Sequence, residues 1–176
     1  MPKNIQPKKL ASTTFYQLVW GVSLCYNQVM KNDEIYAYVL MRNDIKSLGA
    51  GKAAAASNHA GTVMSYWVRH HGNRAQKQLF SLWENQAQGA GVCIVLSCDE
   101  ETMKWCVHAI QALKDQGCSS GVWHDPTYPS TTERGFCVMP VDVCGWALGP
   151  KNLLAPVLGD LPLMSNISWS TSGEQT

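Results

Sequence analysis

Charge is scarce in this chain. Asp, Glu, Lys and Arg fill 15% of its 176 positions and nearly cancel, to a formal net charge of +1. No global basic field exists to gather nucleic acid, so any such contact needs a local patch. Paired cysteines are lacking as well. The seven cysteines, at 25, 93, 98, 106, 118, 137 and 144, are odd in number and show no Cys-x-x-Cys spacing. That pattern excludes a zinc finger or ribbon and argues against a disulfide framework. Several lie inside apolar runs, as reduced core cysteines of an intracellular protein do. The expected location is therefore the cytoplasm, with no metal and no other cofactor. No apolar run reaches membrane-spanning length, and the polar, basic stretch 1–9 is not a signal peptide, so no membrane partner is expected. No internal repeat is present.

What is there suits one packed domain. Apolar residues make up 45% of the chain, and its length supports a full core. Seven tryptophans are many for this length, and a Trp-rich exposed face would permit a homodimer.

Residues 36–60 organise the rest. Positions 36–41 form a short apolar run rich in Tyr and Val, the mark of a buried strand. Positions 42–51 are polar with two glycines, a loop. From Lys52 the chain is alanine-rich, which predicts a helix over 52–71. Strand, glycine loop and helix N-terminus together make a place to hold an anion, because free N–H groups and the helix dipole converge there. Lys52 stands at that mouth, and His59, two turns on, shares its face. The segment is not a nucleotide P-loop. That motif needs a Gly five residues before its Gly-Lys pair and Ser or Thr after it; Lys46 and Ala53 stand there.

The remaining pattern is read in order. Residues 1–12 form a loose arm, and 13–31 carry an extra N-terminal helix. Residues 74–88 form a second helix behind the first, and 92–97 a strand. Cys98 or Asp99 caps an acidic-started helix running to 116. Residues 122–124 belong to a strand followed by a sharp loop over 125–129. Strand-like runs follow at 136–139 and 144–148, then Gly149-Pro150, a short helix from Asn152, an edge strand at 161–164 and a polar tail over 165–176. The alternation predicts an α/β fold, specifically a three-layer sandwich. Its mixed, mostly parallel sheet would have four to five strands with helices on both faces.

Several of these segments, in this order, resemble the type 2 (archaeal and eukaryotic) peptidyl-tRNA hydrolase family. Its opening pattern, Arg-x-Asp-Leu, loop, Gly-Lys-x-Ala-Ala-Gln-x-x-His-Ala, is similar to Arg42-Asn-Asp44-Ile45, loop, Gly51-Lys52-Ala-Ala-Ala-Ala56-Ser-Asn-His59-Ala60. Its acidic helix and Asp-loop strand are similar to residues 99–103 and to Val122-Trp-His-Asp125. Its closing strand, Gly-Pro and short helix are similar to residues 144–164. The match covers residues 35–164, within a single domain over 13–164. Departures are Ala56 for the family's Gln, Cys144 for its last-strand Thr, Thr127 in the Asp loop, and an insertion loop over 126–143.

The resemblance implies a hydrolase that cleaves the ester between a peptidyl group and tRNA. Asp125 would activate water and Lys52 would steady the oxyanion or a phosphate. His59 would position either one, with Thr127 as a replacement hydroxyl and Cys144 as a substitute nucleophile. Arg42, Asp44 and Gly51 would contact substrate. Two other readings stand beside it: a family member that binds RNA or another ligand with altered chemistry, and a scaffold that binds a protein partner.

Overall fold

The structure is a computed structural model that describes residues 34–132 and 135–164, with the side chains of 131 and 132 left aside. The arm, the N-terminal helix and the polar tail expected from the sequence lie outside these residues.

Strand β1, Ile35–Arg42, is buried from Ile35 to Met41 apart from Tyr36, as a strand covered on both faces must be. It leads through a loop into helix α1, Ala50–His71, two residues earlier than expected. Ala53, Ala56, Ala60, Met64 and Val68 form the buried stripe of α1. Its alanines let the helix axis lie close to the sheet. The Gly72 N–H closes α1 by donating to Trp67 O and Val68 O, and the chain turns at once into α2, Arg74–Glu84. There Asn73 accepts from Gln76 N and the Gln76 side chain accepts from Asn73 N, a reciprocal cap. Trp83 of α2 donates from Nε1 to Val92 O at 2.8 Å. Gly91 sits at φ 67° directly against that ring, and a Cβ there would fall 2.2 Å from it.

Strand β2, Cys93–Cys98, precedes α3, Glu100–Gln111. Asp99 caps α3 by accepting from Thr102 N at 2.8 Å. Left-handed Gly117, φ 89°, ends the connection after a 3-10 turn. Strands β3, Ser119–Thr132, and β4, Gly135–Pro150, then form a long antiparallel hairpin, and α4, Lys151–Leu158, closes the described fold.

The four strands lie in the order β2-β1-β4-β3. Only β1 and β2 are parallel; β1–β4 and β3–β4 are antiparallel. The sheet is therefore mixed but not mostly parallel. The physical reason is the segment expected to be an insertion loop over 126–143. It continues both strands, and a hairpin connection enforces antiparallel pairing. Pro126 and Pro129 fit because β3 is an edge strand and a register shift falls between Asp125 and Tyr128. The expected strand at 161–164 is a single bridge, Leu163 to Leu96, supported by Ser97 N–H to Pro162 O at 2.8 Å.

One core joins Tyr38, Leu40, Leu96, Cys98 and Ala147 of the sheet to Met103, Cys106, Val107 and Ile110 of α3 and Leu154 and Leu158 of α4. Each large apolar side chain buried there contributes about 1.5–3 kcal/mol. Helix α1 meets the alternate sheet residues: the Cys144 thiol donates to Ala56 O at 3.6 Å, and Trp67 packs on Trp146 with ring centroids 6.0 Å apart. No helix among the described residues is long and apolar enough to cross a membrane.

Candidate functional site

Helix α1 runs alongside β3 and touches it at two points. Near its start, Lys52 Nζ donates to Pro129 O at 2.6 Å and lies over the Tyr128 ring, 4.8 Å from its centroid. Two turns on, His59 stacks on Trp123, with centroids 4.9 Å apart and planes 22° apart. Asp125 lies on β3 between these contacts. Strand alternation sets it on the side of Trp123 and opposite His124. Along the strand, Asp125 therefore falls between the Trp123 seat of His59 and the Tyr128–Pro129 seat of Lys52.

The Asp125 carboxylate is organised locally. Its Oδ1 accepts from the Thr127 N–H at 2.9 Å and from the Thr127 hydroxyl at 3.3 Å, which closes an Asx-type turn across the register shift. Oδ2 accepts no hydrogen bond among the described residues. Lys52 and Asp125 form no ion pair, so each keeps its own capacity to meet a ligand. Lys52 retains two further N–H bonds beyond the one to Pro129. At the same end, Gly49 caps α1 without a side-chain hydrogen bond and the first turn holds no acid, so the N–H groups of Ala50 and Gly51 stay open to an anion. No group of metal-ligating side chains occurs among the described residues.

Two expected substrate contacts are engaged elsewhere. Arg42 binds Asp44 through Nε and Nη2, both at 2.8 Å, Glu100 through Nη1 at 2.7 Å, and Asp142 O at 3.1 Å. This network continues through Lys104, which meets Glu100 at 2.5 Å and Asp142 at 3.1 Å, to His124, whose Nδ1 is 2.8 Å from Asp142. The Asp44 carboxyl is held below its ordinary range by the Arg42 hydrogen bonds, and Asp142 by His124 and then Lys104. Arg42 and Asp44 are therefore tied into a network that fixes the loop before α1. His124 points to this network, away from Asp125, as alternation along a strand requires.

Cys144 is fully buried, and its thiol donates into the helix at Ala56 O. Burial, and then Cys98, push its pKa up to about 12. Such a thiol is neutral near pH 7 and sealed from solvent, so Cys144 packs in the core in this structure. Gly51 is exposed on the first turn of α1. The sequence reading missed Tyr128, which is buried under Lys52 and receives a hydrogen bond from Ser47 at 3.4 Å. No periodicity signals such a residue, because its partners come from 76 and 81 positions away. It also missed Trp123 as the seat of His59.

The sequence matches no protein-family model, and no curated protein shows significant similarity to it.

Proposed function

We propose that this chain hydrolyses the ester bond joining a peptidyl or N-blocked aminoacyl group to tRNA. The observation that carries the reading is the seating of α1 on β3: Lys52 and His59 contact Pro129 and Trp123, on either side of Asp125 in the strand, although Lys52 and Asp125 are 73 positions apart. In this scheme a water on Asp125 Oδ2 loses its proton as it attacks the ester carbonyl. The carbonyl oxygen becomes an oxyanion beside Lys52 and the first N–H groups of α1. Collapse of the tetrahedral intermediate releases the tRNA 3′ oxygen, which takes up a proton, and the free peptide. His59, seated on Trp123, holds the far wall, and Thr127 keeps the Asp125 carboxylate turned. The order of elements, β1 to Gly149-Pro150 and the short α4, supports the resemblance to type 2 peptidyl-tRNA hydrolases. In the same reading the helices form the outer layers of a three-layer sandwich, the protein works in the cytoplasm, and tRNA is its partner.

A second reading has an observation of its own. Lys52 is bonded to Pro129, and the position matching the family's threonine is a sealed thiol, so a chain that binds tRNA without cleaving it, alone or as a homodimer, would have this geometry too. Release of the acyl group from peptidyl-tRNA separates the two. Turnover by the intact chain, with a loss of at least about a hundredfold in Asp125→Asn and Lys52→Ala at unchanged melting temperature, supports hydrolysis. Absence of turnover by the folded chain moves the function to salt-dependent tRNA binding.

A further inference from the structure

Away from the α1–β3 contacts, buried polarity gathers in one place. Gln76, Ser119 and Ser120 are the buried polar side chains among the described residues, and all three line one cavity of about 550 Å³. It opens between the end of α1, the first turn of α2 and the connection from α3 to β3. Two of the three are satisfied within the protein. Gln76 Nε2 donates to Cys118 O and Ser120 Oγ to Val107 O, each at 2.8 Å. Ser119 is 1% exposed, and its hydroxyl has no partner among the described residues. Alternation sets it opposite Ser120, on the α1 side with Trp67.

The rest of the lining is chemically mixed. Trp67 and His71 supply aromatic surface from α1. Gln111, Lys114 and Asp115 face them, and their side chains have no hydrogen bond or ion pair among the described residues. The volume falls in the range of small-molecule sites, about 300–1,000 Å³. We propose that this cavity binds a nucleotide. The base lies against Trp67 and His71, its donor–acceptor edge meets Ser119, Gln111 and Asp115, and its phosphate meets Lys114. A free amino acid would match Lys114 and Asp115 but leave the aromatic wall and most of the space unused. The inference stands apart from the hydrolase reading, since neither Lys52 nor Asp125 lines this cavity.

Calorimetric titration of the full chain tests it, with adenosine 5′-monophosphate in one arm and a single-stranded hexa-adenylate RNA in the other. Saturable binding is expected, weakened about tenfold by Lys114→Ala and weakened also by Ser119→Ala, while Lys52→Ala binds as the parent does. Saturation by the mononucleotide identifies a free nucleotide as ligand; saturation by the hexamer alone identifies an unstacked nucleotide of RNA. Three results overturn the proposal: no saturation by either probe at millimolar concentration, binding indifferent to Lys114→Ala and Ser119→Ala, or binding lost in Lys52→Ala. The first two leave the cavity to water, and the third moves the ligand to the start of α1, beside Lys52. Because Lys114 is exposed, its variant folds, and the melting temperature of Ser119→Ala verifies the other.

Discussion

At the scale of single residues, the cysteines are the most sharply sorted side chains. Cys93 is exposed, whereas Cys98, Cys106, Cys118 and Cys144 are buried. Iodoacetamide on the native protein is expected to label Cys93 ahead of these four, which react only once denaturant opens the core; mass spectrometry of the digested protein reads the order. Early labelling of Cys144 would restore it as a nucleophile. Burial pushes the thiols of Cys98 and Cys144 up to about 12 and that of Cys118 up to about 11, from an ordinary 9.0. Between those values the unfolded chain releases protons that the folded chain keeps. Their contribution to stability is therefore complete below pH 9 and is lost as pH rises through 11 and 12. Urea midpoints falling steadily over that window, with a shallower fall in Cys144→Ala, check the sign. Asp44 and Asp142 act in reverse: their carboxyls sit below the ordinary 3.8, so their contribution is present above it and fades as pH drops further. Arg42→Ala removes the partner of Asp44, and a double-mutant cycle between the two is expected to show coupling of about 1 kcal/mol, the scale of a partly exposed pair.

At the scale of elements, caps and turns decide the boundaries. Replacing Asn73 by Ala removes the cap of α2 and also the hydrogen bond from Asn73 Nδ2 to Lys114 O at 3.1 Å. A loss of about 1–2 kcal/mol is expected in urea unfolding, and Asp99→Ala, which removes a cap alone, should cost less. Asp99, before two acids, is one of two cap candidates in the sequence, with Cys98; Asn73, three residues before Gln76, carries a cap signal too, but the Gly72 beside it marks only the end of α1. The apolar runs of β1, β2 and β4 and the helical spacing of α1 and α3 were legible for the same reason: period and composition are local. Strand direction was not. The prolines at 126, 129 and 140 resemble loop punctuation until it is known that β3 is an edge and that the chain shifts register beside them. The candidate site divides in the same way. The Gly51-Lys52 turn and His59 announce themselves within ten residues. The Arg42 network, by contrast, draws acceptors from 2, 58 and 100 positions away, and no window of sequence contains them.

At the scale of the whole molecule, the sheet order puts β1 and β4 at the centre and β2 and β3 at the margins. Residues Leu40 and Met41 of β1, and Ala147 and Leu148 of β4, have no exposure at all. Amide exchange should therefore be slowest in these two strands. It should be fastest in the outer hairpin, where Phe136 is 75% and Val138 59% exposed. Equal protection of residues 136–139 and 144–148 would contradict that gradient.

The two register shifts in the hairpin are opposite in sense. Val143 is the extra residue on β4 between the Trp123–Cys144 and His124–Asp142 pairs, and one extra residue on β3 restores the alignment before Tyr128 meets Met139. In the language of crystals they are a bound pair of dislocations, with the lattice perfect on either side and a displaced patch between. Asp125 and Asp142 are the acidic residues inside that patch. A deletion at Val143 alone would unbind the pair and slide the outer hairpin by one step, exchanging the faces of its side chains. Substitutions within the patch, at Asp125 or Asp142, leave both flanking lattices in step, whereas a change of length there does not.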